Sequence, residues 1–247
     1  MRSPVPPNQR KCGFTLIELL TVIAIIAILM GLLFPALNAA KNSAKKAQAR
    51  SDETSLVNAV RAFYSDYGVY PLNGGSNGSN GNANAGTYGY DTDYGDPGGS
   101  YSSADLLDIL RAVDDSGAQY SHHFNAGNQL NIRQVVYFEP AVAKSLTTPR
   151  SGMVMTPGGV TGALGNAIPY GAYVDPWGME YVVFVNASYS GSLNTPPNGG
   201  TSISWYYWPN TPSVTAPVAA TSLGQDMNWG TAGNKVFQGS DDVATWQ

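Results

Sequence analysis

The chain has 247 residues, of which only 12% are charged, a net charge of −4 and a single cysteine, Cys12. That length holds one anchor segment plus one domain of moderate size. Abundant Gly, Asn, Ser, Thr, Pro and Tyr with so few charges suit a loop-rich, β-containing head outside the cytoplasm better than a cytosolic enzyme. Past residue 50 there are 16 acidic against 6 basic side chains, a balance that argues against nucleic-acid binding.

The first element is apolar. From Phe14 to Leu37 the only charge is Glu18, and Thr15, Thr21 and Gly31 are the few interruptions. Just over twenty such residues, as a helix, cross a hydrocarbon layer of ~30 Å. A carboxylate in such a helix is unusual, because it costs about 3 kcal/mol at the bilayer centre and less near an interface. Arg2, Arg10 and Lys11 precede the segment, and Lys41, Lys45, Lys46 and Arg50 follow it. Flanking charge therefore leaves the orientation open.

The stretch Lys11-Cys12-Gly13-Phe14-Thr15-Leu16-Ile17-Glu18 resembles the N-terminal signal of type IV pilins and type II secretion pseudopilins. The resemblance implies cleavage by a membrane-embedded prepilin peptidase between Gly13 and Phe14. It also implies N-methylation of the new Phe14 terminus and retention of the helix. It places the leader in the cytoplasm and the head in the periplasm, with the chain single-pass in the inner membrane. It assigns Glu18 to filament assembly, facing the α-amine of a neighbouring subunit's Phe14. That pairing is physically reasonable, since a buried carboxylate gains from an opposite charge. Loss of the leader would remove Cys12, leaving no disulfide to staple the head.

A secretory signal peptide is the alternative reading, with a small-residue site near Ala36-Leu37-Asn38-Ala39. The apolar run is long for that, and Glu18 falls where such a peptide is apolar. Cys12 precedes the apolar run and has no lipobox before it, which counts against a lipoprotein.

Pro35 is expected to kink or locally melt the helix. Good helix formers follow from Ala39 to Arg50. Leu56, Val60, Phe63 and Tyr67 then step by four, three and four, an apolar stripe on one face. This predicts a helix from about Phe14 to Asp66, ended by Gly68 and packing its second half under a sheet. Tyr64, Asp66, Tyr67, Gly68, Tyr70 and Pro71 resemble the exit sequence of the same family.

Residues 73–101 are low in complexity and read as a solvated loop. Asp91-Thr92-Asp93-Tyr94-Gly95-Asp96 lacks the order and closing glutamate of an EF-hand and reads as a polar turn. Ser102 with Asp105 marks a helix start, followed by Leu106, Leu107, Ile109, Leu110 and Val113, with an end near Asp115-Ser116-Gly117. His122-His123 has no third ligand in its pattern. Residues 134–138 read as a strand, and residues 145–169 as a connection with one short strand at Met153-Val154-Met155. No nucleotide loop and no nucleophile–His–Asp set emerges from the spacing.

Asp175-Pro176-Trp177-Gly178 is a turn by its chemistry, with Pro second and Gly fourth. Strands over residues 170–174 and 181–185 would make it a hairpin. Asp-Pro-Trp-Gly-x-x-Tyr is similar to the start of the C-terminal sheet of the major pseudopilin of type II secretion. Ser222-Leu223-Gly224-Gln225-Asp226 and Ser240-Asp241-Asp242-Val243-Ala244-Thr245-Trp246 resemble that family's tail. There the loop binds calcium, which implies side-chain ligands Asp226, Asp241 and Asp242 and a carbonyl ligand at Leu223. Clustered carboxylates in a Gly-rich loop suit a hard cation. Met227 stands where the family has glycine, and the segment from Met227 to Ser240 is longer. The alternative is a hydrogen-bonded loop with ordinary surface aspartates. Trp205-Tyr206-Tyr207-Trp208 fits sheet core, a subunit contact or a glycan-binding strip.

The resemblance covers residues 10–71, 174–185 and the tail from 222. It implies an α+β, type IV pilin-like fold, with a long N-terminal helix, transmembrane in its first half, on a C-terminal antiparallel sheet. The expected organisation is leader 1–13, transmembrane and filament-core helix 14–37, periplasmic half-helix 38–67 and head 68–247. The expected role is a non-enzymatic, structural subunit of a type II secretion pseudopilus. Its partners would be copies of itself, related pseudopilins, prepilin peptidase and the inner-membrane assembly platform. Alternatives are a type IV pilus subunit for adhesion, DNA uptake or motility, and an exported glycan-binding domain using Trp205 to Trp208.

Overall fold

One helix dominates the computed structural model: α1 spans Leu16–Tyr67. The structure describes residues 15–72, 92–95, 101–120, 123–162, 164–186, 193–194, 213–214, 216–228 and 240–245. Gly13, Phe14, His122 and Trp205-Tyr206-Tyr207-Trp208 lie outside the described residues. Gly68 ends α1 as expected, with φ +69 and its N–H donating to Tyr64 O at 2.8 Å. This left-handed residue closing the last turn suits glycine, which has no Cβ to clash. The helix continues through Pro35, so the expected local melting does not occur. Proline removes one hydrogen bond there, and the intact turns on either side hold the helix.

The chain divides into two units, residues 1–44 and residues 45–247. The first contributes the apolar part of α1, which is exposed along its whole length. The second holds the rest of α1 and the head. Among its described residues the strands are β1 (Thr92–Tyr94), β2 (Gly152–Met153), β3 (Val160–Thr161), β4 (Ala167–Ile168), β5 (Tyr173–Val174), β6 (Val182–Val185), β7 (Leu193–Asn194), β8 (Ser213–Val214), β9 (Val218–Ser222) and β10 (Val243–Ala244). Helix α2 is Ser103–Leu110. The main sheet is antiparallel with order β1-β6-β9-β10, and β2–β5, β3–β4 and β7–β8 form two-stranded ribbons. This α+β arrangement is consistent with a pilin-like fold.

The stripe on α1 is core. Leu56, Val60 and Phe63 are buried with Val183, Val185, Val218, Ala220 and Val243 of the sheet and with Leu106, Leu107, Ile109 and Leu110 of α2. Burying a Val, Leu or Phe side chain is worth ~1.5–3 kcal/mol, so this cluster supplies much of the head's stability. Tyr67, the fourth stripe residue, is only partly buried. Its hydroxyl donates to Asn131 Oδ1 at 2.8 Å and accepts from Arg133 N at 2.9 Å.

Four local expectations need correction. The solvated loop contains β1, whose Thr92 pairs with Val185 and whose Tyr94 is buried, donating its hydroxyl to Pro71 O at 2.9 Å. Helix α2 begins at its Ser102–Asp105 capping box but stops at Leu110. Ala112 turns left-handed at φ +55, and Val113 N reaches back to Asp108 O at 2.9 Å. Residues 134–138 form no strand. There the Asn131 side chain takes a strand's place, accepting from Val135 N at 3.1 Å and donating to Val135 O at 2.8 Å. Gln134 at φ +52 breaks the extended path.

The fourth correction concerns the hairpin. The turn forms, with Gly178 N donating to Asp175 O at 3.2 Å and Asp175 N to Met179 O at 2.8 Å. Its arms meet through the Val174–Glu180 bridge and a Tyr181 N to Tyr173 O bond of 3.0 Å, and then part. Strand β5 pairs with β2, while β6 runs into the main sheet between β1 and β9. The aromatic and β-branched residues of these segments predict strands but do not choose their partners.

Candidate processing and assembly segment, and the C-terminal acidic loop

Described structure begins at Thr15, one residue after the expected cleavage point. Thr15 and Glu18 form a reciprocal cap. Thr15 N and Thr15 Oγ1 donate to Glu18 Oε2 at 2.8 and 2.7 Å, and Glu18 N donates to Thr15 Oγ1 at 3.3 Å. Sequence reasoning passed over this arrangement, although Thr-x-x-Glu before an apolar run is the capping-box pattern. A carboxylate at a helix N-terminus also meets the positive end of the helix dipole. Both of Thr15's bonds fall on Oε2. Beyond Glu18 the next ionisable side chain is Lys41, and the twenty-two residues from Leu16 to Leu37 rise ~33 Å. Leu16 is 88% and Leu32 74% exposed. Such a surface calls for lipid or protein cover.

In the head, the two acids of the Asp-Pro-Trp-Gly-Met-Glu segment act as buried anchors. Asp175 Oδ1 accepts from Trp177 N, Gly178 N and Met179 N at 2.9, 2.7 and 3.0 Å, and Oδ2 accepts from Ser222 Oγ at 2.6 Å. Burial pushes its pKa up, and these donors act against that shift. Glu180 Oε2 accepts from Ser102 Oγ at 2.6 Å, Ser103 N at 2.8 Å and Ser103 Oγ at 2.7 Å. It therefore holds the start of α2, and burial raises its pKa as well. Ser103 Oγ in turn accepts from Tyr173 N at 3.0 Å. The motif thus ties its turn to α2 and β9, a linkage that its turn chemistry alone does not reveal.

Strands β9 and β10 bring the tail's aspartates together. Val243 pairs with Ser222, and one carboxylate oxygen from each of Asp226, Asp241 and Asp242 falls within 4.8 Å of the others. Gly224, at φ +70, passes so close to Asp241 that a Cβ would lie 2.5 Å from the Asp241 carbonyl oxygen. Asp241 Oδ2 accepts from Gln225 N and, at 2.9 Å, from Asp226 N. Asp226 Oδ1 accepts from Asn228 N at 2.8 Å. Met227 sits at φ +58, a left-handed position that favours glycine. Leu223 follows β9 with its side chain in the interior, 1% exposed. An all-oxygen donor set fits a hard cation such as calcium. The backbone donors already on Asp226 and Asp241 also hold the loop by themselves. His123 stands apart from this cluster, its Nδ1 bonded to the Asp115 carbonyl.

Residues 8–34 match the family model of the prokaryotic N-terminal methylation motif. The chain is 40% identical over 64 residues to the type II secretion system core protein G of Aeromonas hydrophila, covering 26% of this chain and 45% of that protein. It is 42% identical over 64 residues to the protein of the same name from Escherichia coli (strain K12), covering 26% and 44%. The matched region thus spans less than half the length of these curated relatives. No solved structure matches. The motif and the two similarities together support a pseudopilin with a prepilin-type N-terminal signal.

Proposed function

We propose that the chain is a structural subunit of a type II secretion pseudopilus. The prepilin peptidase cuts between Gly13 and Phe14, and Phe14 becomes N-methylated. The apolar half of α1 anchors the subunit in the inner membrane, leader inside and head in the periplasm. Subunits then leave the membrane for a filament of this chain and related pseudopilins, assembled by the inner-membrane platform. Growth of the filament helps move folded proteins across the outer membrane, and the subunit itself performs no catalysis.

One observation carries this reading: Glu18 is the only charge between Phe14 and Leu37, in the exposed apolar half of α1, most of which lies within the stretch matching the N-terminal methylation motif. Its carboxylate lies at the start of α1, hydrogen-bonded to Thr15. Intact-mass measurement and N-terminal sequencing of the membrane-fraction protein test the proposal. The expected product starts at Phe14 with one added methyl group. A start near Ala39 would overturn it in favour of an exported soluble domain, and a filament on the cell surface would point to a type IV pilus.

The C-terminal loop is proposed to hold one calcium ion through Asp226, Asp241 and Asp242, with the Leu223 carbonyl completing the set. The convergence of three carboxylates beside the paired ends of β9 and β10 supports this. Bound there, calcium would neutralise their mutual repulsion and clip a head that has no disulfide.

A further inference from the structure

Glu53 lies on the buried face of α1 and has no solvent exposure. Among the described residues, neither of its carboxyl oxygens has a hydrogen-bond partner. The groups around it are Arg50 and Asp52 from its own helix, Asp175 from the turn before β6, and the Ser222 backbone from β9. Arg50 is the positive group among them, and its favourable effect on Glu53 is smaller than the cost of burial.

Asp175 is the opposite case. It is equally buried but takes four donors, three from backbone N–H groups and one from the Ser222 hydroxyl. The same interior region therefore contains one carboxyl with four donors and one approached only by the Ser222 backbone, outside hydrogen-bond geometry. A carboxylate without donors in the interior is expensive, and a second one nearby adds repulsion. The donors favour the charge on Asp175 over Glu53, although burial raises both carboxyls.

We infer that Glu53 is a proton-operated latch between α1 and the Asp175–Ser222 junction. Neutral, it seats as an ordinary polar side chain and lets the helix pack. Ionised, it must find water, so it parts the helix from β9 and loosens the acidic loop that begins at Ser222.

Burial pushes the Glu53 carboxyl up to about 9, with Asp175 and Asp52 adding to the rise and the Ser222 backbone and Arg50 opposing it. The folded state thus holds a proton that the unfolded chain has released. Stability is fully present below the ordinary glutamate range, falls as pH rises above it, and levels off beyond about 9. One proton of difference changes the folding equilibrium constant tenfold per pH unit.

The experiment uses the full chain in detergent micelles or nanodiscs, wild type against Glu53→Gln, which mimics the protonated acid. Denaturant unfolding between pH 6 and 9 should show the wild-type equilibrium constant falling tenfold more per pH unit than the variant's. Hydrogen exchange at residues 222–224, corrected for intrinsic rates, should accelerate with pH in the wild type alone. Equal slopes in the two proteins would overturn the proposal. Should Glu53→Gln fail to fold, isotope-edited infrared spectroscopy with labelled glutamate decides at pH 7 in the Glu180→Gln protein, which removes the other buried glutamate whose pKa is raised. A protonated carboxyl band supports the latch if it fades as pH approaches 9. A spectrum with every glutamate ionised at pH 7 overturns it.

Discussion

Ser222 Oγ donates to Asp175 Oδ2 across 2.6 Å, and it joins the turn before β6 to the start of the C-terminal acidic loop. The same hydroxyl accepts from Gly224 N at 3.2 Å. Two motifs nearly fifty residues apart in sequence therefore meet at one side chain. Asp175→Ala would strand three backbone N–H groups and the serine hydroxyl. A loss of about 3–5 kcal/mol is expected for removing one partner from a buried charged network. Ser222→Ala removes one charge-assisted bond, and a loss of about 1.5–3 kcal/mol is expected. Chemical denaturation of the two variants checks the order.

Glu180 is the capping group that α2 borrows from another element. Glu180→Ala should fray the first turn of α2, with exchange at Ser103 and Ala104 rising first. The expected cost is about 2–4 kcal/mol, because Ser103 N and two hydroxyls lose a charged acceptor. Glu180→Gln keeps one acceptor and should cost clearly less.

Asp108 offers a second pH test. It is buried in α2, and its carboxyl is raised to about 8, first by desolvation and then by Asp115 and Asp105. A raised carboxyl holds its proton when folded and loses it when unfolded. Its contribution is therefore complete below pH ~3.8 and is lost progressively up to about 8. Asp108→Asn should be more stable than wild type at pH 8 to 9, with the difference shrinking toward pH 4. Thermal melts across that range measure it.

Under the proposed assembly, in which Glu18 faces a neighbour's terminal amine, Glu18→Gln should leave membrane insertion intact and weaken self-association. Cross-linking between cysteines placed on α1 reads this out. Undiminished cross-linking in the variant would remove Glu18 from assembly.

For the acidic loop, adding calcium to chelator-treated protein should raise the melting temperature. At a hundredfold excess over the dissociation constant the gain is about 2.7 kcal/mol. Asp241→Ala with Asp242→Ala should abolish the calcium response. A response of equal size in that double variant would place any calcium elsewhere.

Much of this was legible in sequence because the signals are local. The Leu56–Val60–Phe63 stripe, the Gly68 stop, the Ser102 cap and the Asp-Pro-Trp-Gly turn each follow from a few neighbouring side chains. What escaped was non-local. Nothing near Val135 says that Asn131 will substitute for a strand, and nothing near Tyr94 names Val183 as its partner. Glu53 stands three residues before Leu56, on the stripe's spacing, yet its charge argues for the surface. The tail showed its three aspartates but not that β9 and β10 would bring them together.

The strand order β1-β6-β9-β10 bears on biosynthesis. The stripe on α1 finishes at residue 67; edge strand β1 follows at residue 92, but β6, β9 and β10 run from residue 182 to residue 244. More than a hundred residues must emerge before that face meets the sheet, a high contact order that slows folding. The apolar half of α1 is synthesised long before the sheet can close. Under the proposed function, the membrane would therefore receive the apolar segment before the head has folded.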